Sequence, residues 1–175
     1  MESVNIGIFG PKLSGKTTLA ISLSKRFWRM RKRRSFVLDP NLDPNWGEQA
    51  WVTDDEPKFW AAVWKTQDAL VIVDEASETI NRDKGLIAVF TRLRHLHHVL
   101  LVIGHSGINL LPIMREQIDT LYLFHTSAKA ASLWADDMAQ PGFREAVQLR
   151  QFEFLYGTLW QPPVVMRLEL RRGEK

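Results

Sequence analysis

The chain contains no cysteine in its 175 residues. That excludes a disulfide framework and any thiolate-ligated metal. Long apolar runs are also missing: runs such as Val99 to Ile103 are far too short to cross a bilayer. No integral membrane segment is therefore expected. The N-terminus does not combine a basic start with an apolar stretch, so no secretion signal is expected either. There is no internal repeat, no low-complexity linker and no N-K-x-D for reading guanine. The histidines His95, His97 and His98 have no cysteine or nearby acid to complete a tetrahedral zinc set. This length without a linker predicts a single domain over residues 1–175.

Gly10-Pro11-Lys12-Leu13-Ser14-Gly15-Lys16-Thr17-Thr18 is the stretch around which the rest is arranged. It follows an apolar run, Val4 to Phe9, and precedes an apolar-faced helix pattern from residue 16 to about 30. Strand, glycine loop and helix with the spacing G-x-x-x-x-G-K-T form a phosphate-binding loop. Gly10 and Gly15 allow the backbone to approach an anion closely. The N–H groups of residues 10–18 and the helix N-terminus then point at the phosphates. Lys16 reaches the β- and γ-phosphates, Thr17 offers a hydroxyl to Mg²⁺, and Thr18 is placed at the α-phosphate.

Further apolar runs follow. Ser35–Leu38 ends at Asp39-Pro40, Leu70–Val73 at Asp74-Glu75, Val99–Ile103 at Gly104-His105, and Thr120–Phe124 is another. Helical patterns are expected from Asp54-Asp55-Glu56-Pro57 through Trp64, from Lys84 to Leu96, from Leu110 to Ile118, from Ser127 to Met138, and from Gly142 to Arg150. Phe152–Tyr156 and Val164–Leu170 alternate like antiparallel strands around a Gly157–Pro163 connection. Ala76 to Arg82 reads as a polar loop and Arg171 to Lys175 as a polar tail. Uninterrupted apolar strands alternating with helices predict an α/β fold, a parallel sheet covered on both faces. Ligands of such sheets bind at the carboxyl ends of strands. Lys16, Asp39, Asp74, Glu75 and His105 all lie there.

Asp74 closes an apolar strand and suits the carboxylate that supports Mg²⁺; Glu75 beside it suits a base that orients or deprotonates attacking water. These residues point to ATP hydrolysis. His105 is either a γ-phosphate sensor or a loop histidine. Arg92 and Arg94 are either solvated cations of a helix end or arginine fingers toward a neighbouring subunit's nucleotide.

Charge is unevenly distributed. The net charge is only +3, yet the stretch 25–34 holds Lys25, Arg26, Arg29, Arg31, Lys32, Arg33 and Arg34 and no acid. Residues 39–83 are acidic by contrast. One concentrated positive patch suggests an anionic polymer or an anionic membrane surface. A solvated helix end is the plainer reading.

Val37-Leu38-Asp39-Pro40-Asn41, Ile72-Val73-Asp74-Glu75-Ala76, Arg94-His95-Leu96-His97-His98-Val99 and Ile118-Asp119-Thr120-Leu121-Tyr122-Leu123-Phe124 resemble successive blocks of the FtsK–HerA superfamily of DNA-pumping ATPases. The short length resembles its viral branch, the genome-packaging ATPases of membrane-containing icosahedral viruses and phages. The resemblance spans residues 3–126. It implies a RecA-like P-loop NTPase core, a homo-oligomeric ring (hexamer or pentamer), ATP with Mg²⁺, and translocation of double-stranded DNA into a preformed capsid. It also implies docking at a capsid vertex or portal protein, in the host cytoplasm or at the virion vertex. Residue by residue, Lys16 and Thr17 bind nucleotide and metal, Asp74 holds Mg²⁺, Glu75 is the base, and Arg94 is the finger ahead of Arg92. The family often carries glutamine where this chain has His105. Two other readings compete: an assembly ATPase similar to the zonula occludens toxin family of filamentous phages, and a small-molecule kinase, for which no lid is evident after Ser127.

Overall fold

The computed structural model describes residues 4–75 and 87–169. In chain order these form β1 (Asn5–Phe9), α1 (Lys16–Arg31), β2 (Ser35–Leu38), β3 (Ala50–Thr53), α2 (Glu56–Val63), β4 (Leu70–Val73), α3 (Ile87–His95) and β5 (Val99–Gly104). Then come α4 (Pro112–Arg115), β6 (Thr120–Phe124), α5 (Ala128–Asp137), β7 (Glu153–Thr158) and β8 (Gln161–Arg167). The expected loop at Ala76–Arg82, the first residues of the helix expected from Lys84, and the tail Arg171–Lys175 lie outside the described residues.

The strands make one sheet in the order β3-β2-β4-β5-β1-β6-β7-β8. From β3 to β6 all neighbours are parallel. β7 and β8 continue the sheet antiparallel. β4 and β5 are buried along their whole length, as apolar strands covered on both faces must be. Their side chains alternate between two cores, because successive residues of a strand point to opposite faces. Val71, Val73, Leu100 and Val102 join Phe59, Phe90, Leu93 and Trp134 on the α2, α3 and α5 side. Ile72, Leu101 and Ile103 join Leu19, Ala20, Val37 and Trp46 on the α1 side.

Several sequence expectations change. Strand β3 has no strong apolar run and escapes the pattern; it forms by pairing Ala50–Thr53 with Ser35–Leu38. The helix expected over Leu110–Ile118 shrinks to α4, one turn after a 3₁₀ turn at Gly107–Asn109; its start is set by Pro112, which suits a first helical turn because it has no N–H to donate to a preceding one. The helical pattern after Pro141 is a 3₁₀ helix, Pro141–Gln148. The Gly157–Pro163 connection tightens to the turn at Leu159 and Trp160, and Pro162 and Pro163 lie inside β8. Proline is tolerated there because β8 is an edge strand.

Candidate active site

Parallel strands bring every βα junction to one edge. At that carboxyl edge β5 lies between β1 and β4. His105 therefore stands between the glycine loop and the Asp74-Glu75 pair.

The glycine loop owes its shape to its two glycines. Gly15 sits at φ 101°, a left-handed backbone, and caps α1 without a side-chain hydrogen bond. The first turn of α1 contains no acid, so no carboxylate competes with an anion for its N–H groups. Gly10 runs so close to β6 that an added Cβ would lie 2.5 Å from the Cβ of Phe124. Lys16 is only 8% exposed, and its Nζ donates to the carbonyl of Pro11 at 2.9 Å. Burial lowers the lysine pKa, while Glu75 and Asp74 act in the opposite sense.

Thr17 and Asp74 come from elements 57 residues apart, and the Thr17 hydroxyl donates to Asp74 Oδ2 at 3.4 Å. The other oxygen, Oδ1, accepts the Glu75 N–H at 2.8 Å. Asp74 is 6% exposed. Burial, then the charges of Asp39 and Glu75, raise its pKa from 3.8 to about 6. A cation beside it would reverse that penalty. A hydroxyl and a carboxylate form an all-oxygen donor set suited to Mg²⁺, which keeps waters and phosphate oxygens as its other ligands. The residues present therefore fit this ion, and Thr17 and Asp74 are the ones that could hold it.

Glu75 lies in a left-handed conformation, φ 51°. Its Oε1 is 3.1 Å from Nε2 of His105. His105 thus contacts the proposed base itself, a partnership that adjacency in sequence could not reveal.

Asp39 reaches the same edge but its carboxylate serves its own loop. It is 1% exposed and accepts from Asn41 N, Asp43 N and Trp46 Nε1 at 2.8, 3.0 and 2.9 Å. It fastens residues 39–46 and adds negative charge behind Asp74.

Arg94 lies at the other edge. Its Nη2 is bound to both oxygens of Asp119, at 3.2 and 3.0 Å, and Asp119 Oδ2 also accepts Asn5 N at 2.8 Å. These are residues at the amino ends of β1 and β6. Arg92 is exposed on the same helix. Neither arginine joins the phosphate site of its own chain. His98 is buried, and its Nδ1 accepts the Ala69 N–H at 3.0 Å, an architectural role.

Sequence reasoning missed the C-terminal segment that covers the glycine loop. Gln151 Nε2 donates to the Leu13 carbonyl at 3.2 Å. Leu168 and Phe152 pack onto Gly15 so tightly that a Cβ there would meet Leu168 Cδ1 at 2.5 Å. These contacts join residues more than a hundred positions apart, and no local pattern announces them.

No family model matches the chain, and no curated relative does. Solved structures do. The genome packaging NTPase B204 from Sulfolobus turreted icosahedral virus 2, in complex with sulfate, superposes with a TM-score of 0.80 at 19% identity, over 98% of this chain and 100% of that one. VirB4 of Thermoanaerobacter pseudethanolicus gives 0.73 at 11% identity, over 96% and 90%. The N-terminal domain of zonular occludens toxin from Neisseria meningitidis gives 0.59 at 14% identity, over 98% and 96%. With its phosphate loop, its Asp-Glu pair and a mostly parallel sheet ending in antiparallel strands, the chain has the RecA-like P-loop NTPase fold.

Proposed function

We propose that the protein is a Mg²⁺-ATP-dependent double-stranded DNA translocase that packages a viral genome into a preformed capsid. The observation that carries the reading is the meeting of Thr17 with Asp74 and Glu75 beside Lys16, on a fold shared along its whole length with a genome packaging NTPase. Structures of that NTPase were solved with AMP, AMPPCP and ATP-gammaS.

In this reading the N–H groups of residues 10–18 and the start of α1 bind the phosphates. Lys16 exchanges the Pro11 carbonyl for β- and γ-phosphate oxygens, which brings the ammonium onto the charge that grows during transfer. Thr18 lies at the α-phosphate. Thr17 and Asp74 would hold Mg²⁺, which would neutralise phosphate charge. Glu75 orients water and accepts its proton. His105 donates to Glu75 and holds that carboxylate in place. Arg94, or Arg92 after it, serves the nucleotide of a neighbouring subunit in a ring. Release from Asp119 is the step that frees Arg94.

ATP hydrolysis measured with and without duplex DNA, at several salt concentrations, tests the proposal. Hydrolysis stimulated by duplex and abolished by Lys16→Ala is expected. A rate indifferent to DNA at every salt would remove the translocase reading. The zonular occludens toxin likeness keeps a second reading, an assembly ATPase; stable membrane association after salt washing would favour it.

A further inference from the structure

The amino edge of the sheet, opposite the phosphate site, is built from loops that are distant in sequence. Residues 32–34 lead into β2, 64–69 into β4 and 96–98 into β5. Hydrogen bonds join them. Arg33 Nη1 donates to the Gln67 carbonyl at 2.9 Å, and Asp68 N donates to the Leu96 carbonyl at 3.0 Å. The basic end of α1 therefore does not stand alone. It merges with the exposed Lys65 into one cationic surface.

Two features set this surface apart from a solvated helix end. First, two of its cations are held in place. Arg33 is fixed by Gln67 and by Asp68 at 3.7 Å. Arg34 lies 5.8 Å over the ring of Trp28. A groove runs between the two loops, lined by Arg33, Arg34, Phe36, Thr66, Gln67 and Ala69. Second, the charge is left largely uncompensated. Among the described residues, Asp68 with Arg33 is the ion pair here, while Arg31, Lys32, Arg34 and Lys65 are exposed. Farther up α1 the balance differs, because Lys25 and Arg29 share a cavity with Glu48 and Glu169. On the other half of the edge Asp119 engages Arg94.

We propose that the β2–β4 half of this edge, centred on Arg31, Lys32, Arg33, Arg34 and Lys65, is a docking surface for the phosphate backbone of double-stranded DNA. A row of exposed cations, two of them held in place, suits sequence-independent contact with phosphates. The surface and the phosphate site occupy the two ends of α1. A helix of 16 residues separates them by about 24 Å. One rigid element thus links the nucleotide loop to the polymer. The proposal rests on the translocase reading for the choice of duplex over other polyanions.

The test is fluorescence anisotropy of a short labelled duplex, without nucleotide, from about 50 to 200 mM salt. Arg31→Glu, Arg34→Glu and Lys65→Glu are combined in one variant. Affinity is expected to fall at least about tenfold, and the log–log salt slope to flatten by about 0.9 for each phosphate that is no longer neutralised. DNA-free ATP hydrolysis stays at the parent level. The corresponding glutamine variants, which remove charge without adding acid, are expected to give a smaller loss of the same kind. Lys58→Glu with Lys129→Glu, exposed lysines on the carboxyl side, should leave the duplex bound. Equal weakening by that control pair, unchanged binding in the edge variant, or a parental preference for phosphatidylserine vesicles over duplex would each overturn the assignment. The binding assay contains no ATP, so a parent that fails to hydrolyse ATP refutes the ATPase reading separately from this surface.

Discussion

Nε2 of His105, at the end of β5, lies 3.1 Å from Oε1 of Glu75, at the end of β4. The two strands are neighbours in parallel register, Val73 opposite Val102, so the residues just past their ends converge. A donor on the proposed base fixes its position for water. His105→Ala is expected to lower kcat by about 10² with little change in KM for ATP. His105→Gln, whose amide also donates, should recover most of the loss. Steady-state hydrolysis decides; equal rates for parent and His105→Ala would dissociate the pair from catalysis.

Asp74 yields a pH prediction with a definite sign. Its folded pKa of about 6 lies above the ordinary 3.8. The folded chain therefore keeps a proton that the unfolded chain has already released. The stability contributed by this group is full below about pH 4 and is lost as pH rises to about 6. At neutral pH the buried charge costs at most about 3 kcal/mol. Asp74→Asn should raise Tm at pH 7 more than at pH 4, while abolishing Mg²⁺-ATP hydrolysis. Thermal melts of both proteins at the two pH values give the difference; an identical offset at both would contradict it.

Gly15 is constrained twice, by φ 101° and by Leu168 at 2.5 Å from a virtual Cβ. Gly15→Ala is expected to destabilise by about 1–3 kcal/mol. Adding Leu168→Ala removes the collision but not the backbone strain, so the double variant should recover only part of the loss. Urea titrations of the four proteins of this cycle measure the coupling; strict additivity would mean that the strand end does not seat on the loop.

Arg94 and Asp119 allow a test of subunit cooperation. If Arg94 acts on a neighbour, a site can be assembled from Glu75 of one subunit and Arg94 of the next. Glu75→Gln and Arg94→Ala are each expected to be inactive, the latter reduced by about 10³ or more. Mixed, they should regain hydrolysis through hybrid interfaces. Absence of any recovery in verified mixed oligomers would restrict Arg94 to its ion pair.

Local signals had unequal reach. The phosphate loop and the apolar strands β4 and β5 were legible because backbone freedom and burial on both faces each leave a short-range pattern. Helix starts were legible through their caps, as where Asp55 accepts Lys58 N at 3.0 Å. Strand β3 was not legible, since its stability comes from its partner β2. The length of α4 was not legible either, because the apolar pattern runs on to Ile118, past the single turn that forms. Asp39 looked like a site residue by position, yet its loop consumes its oxygens.

Order along the chain thus named the residues proposed to carry the chemistry: a glycine-spaced loop, a lysine, a hydroxyl and two adjacent acids, each tied to its strand end by short-range sterics and apolar burial. Only the folded sheet decided their company. Strand order set His105 beside Glu75, moved Arg94 to the far edge against Asp119, and gathered the loops before β2, β4 and β5 into one cationic face. Those pairings join segments separated by tens of residues, and they arise from the packing of the whole sheet, which no local spacing encodes.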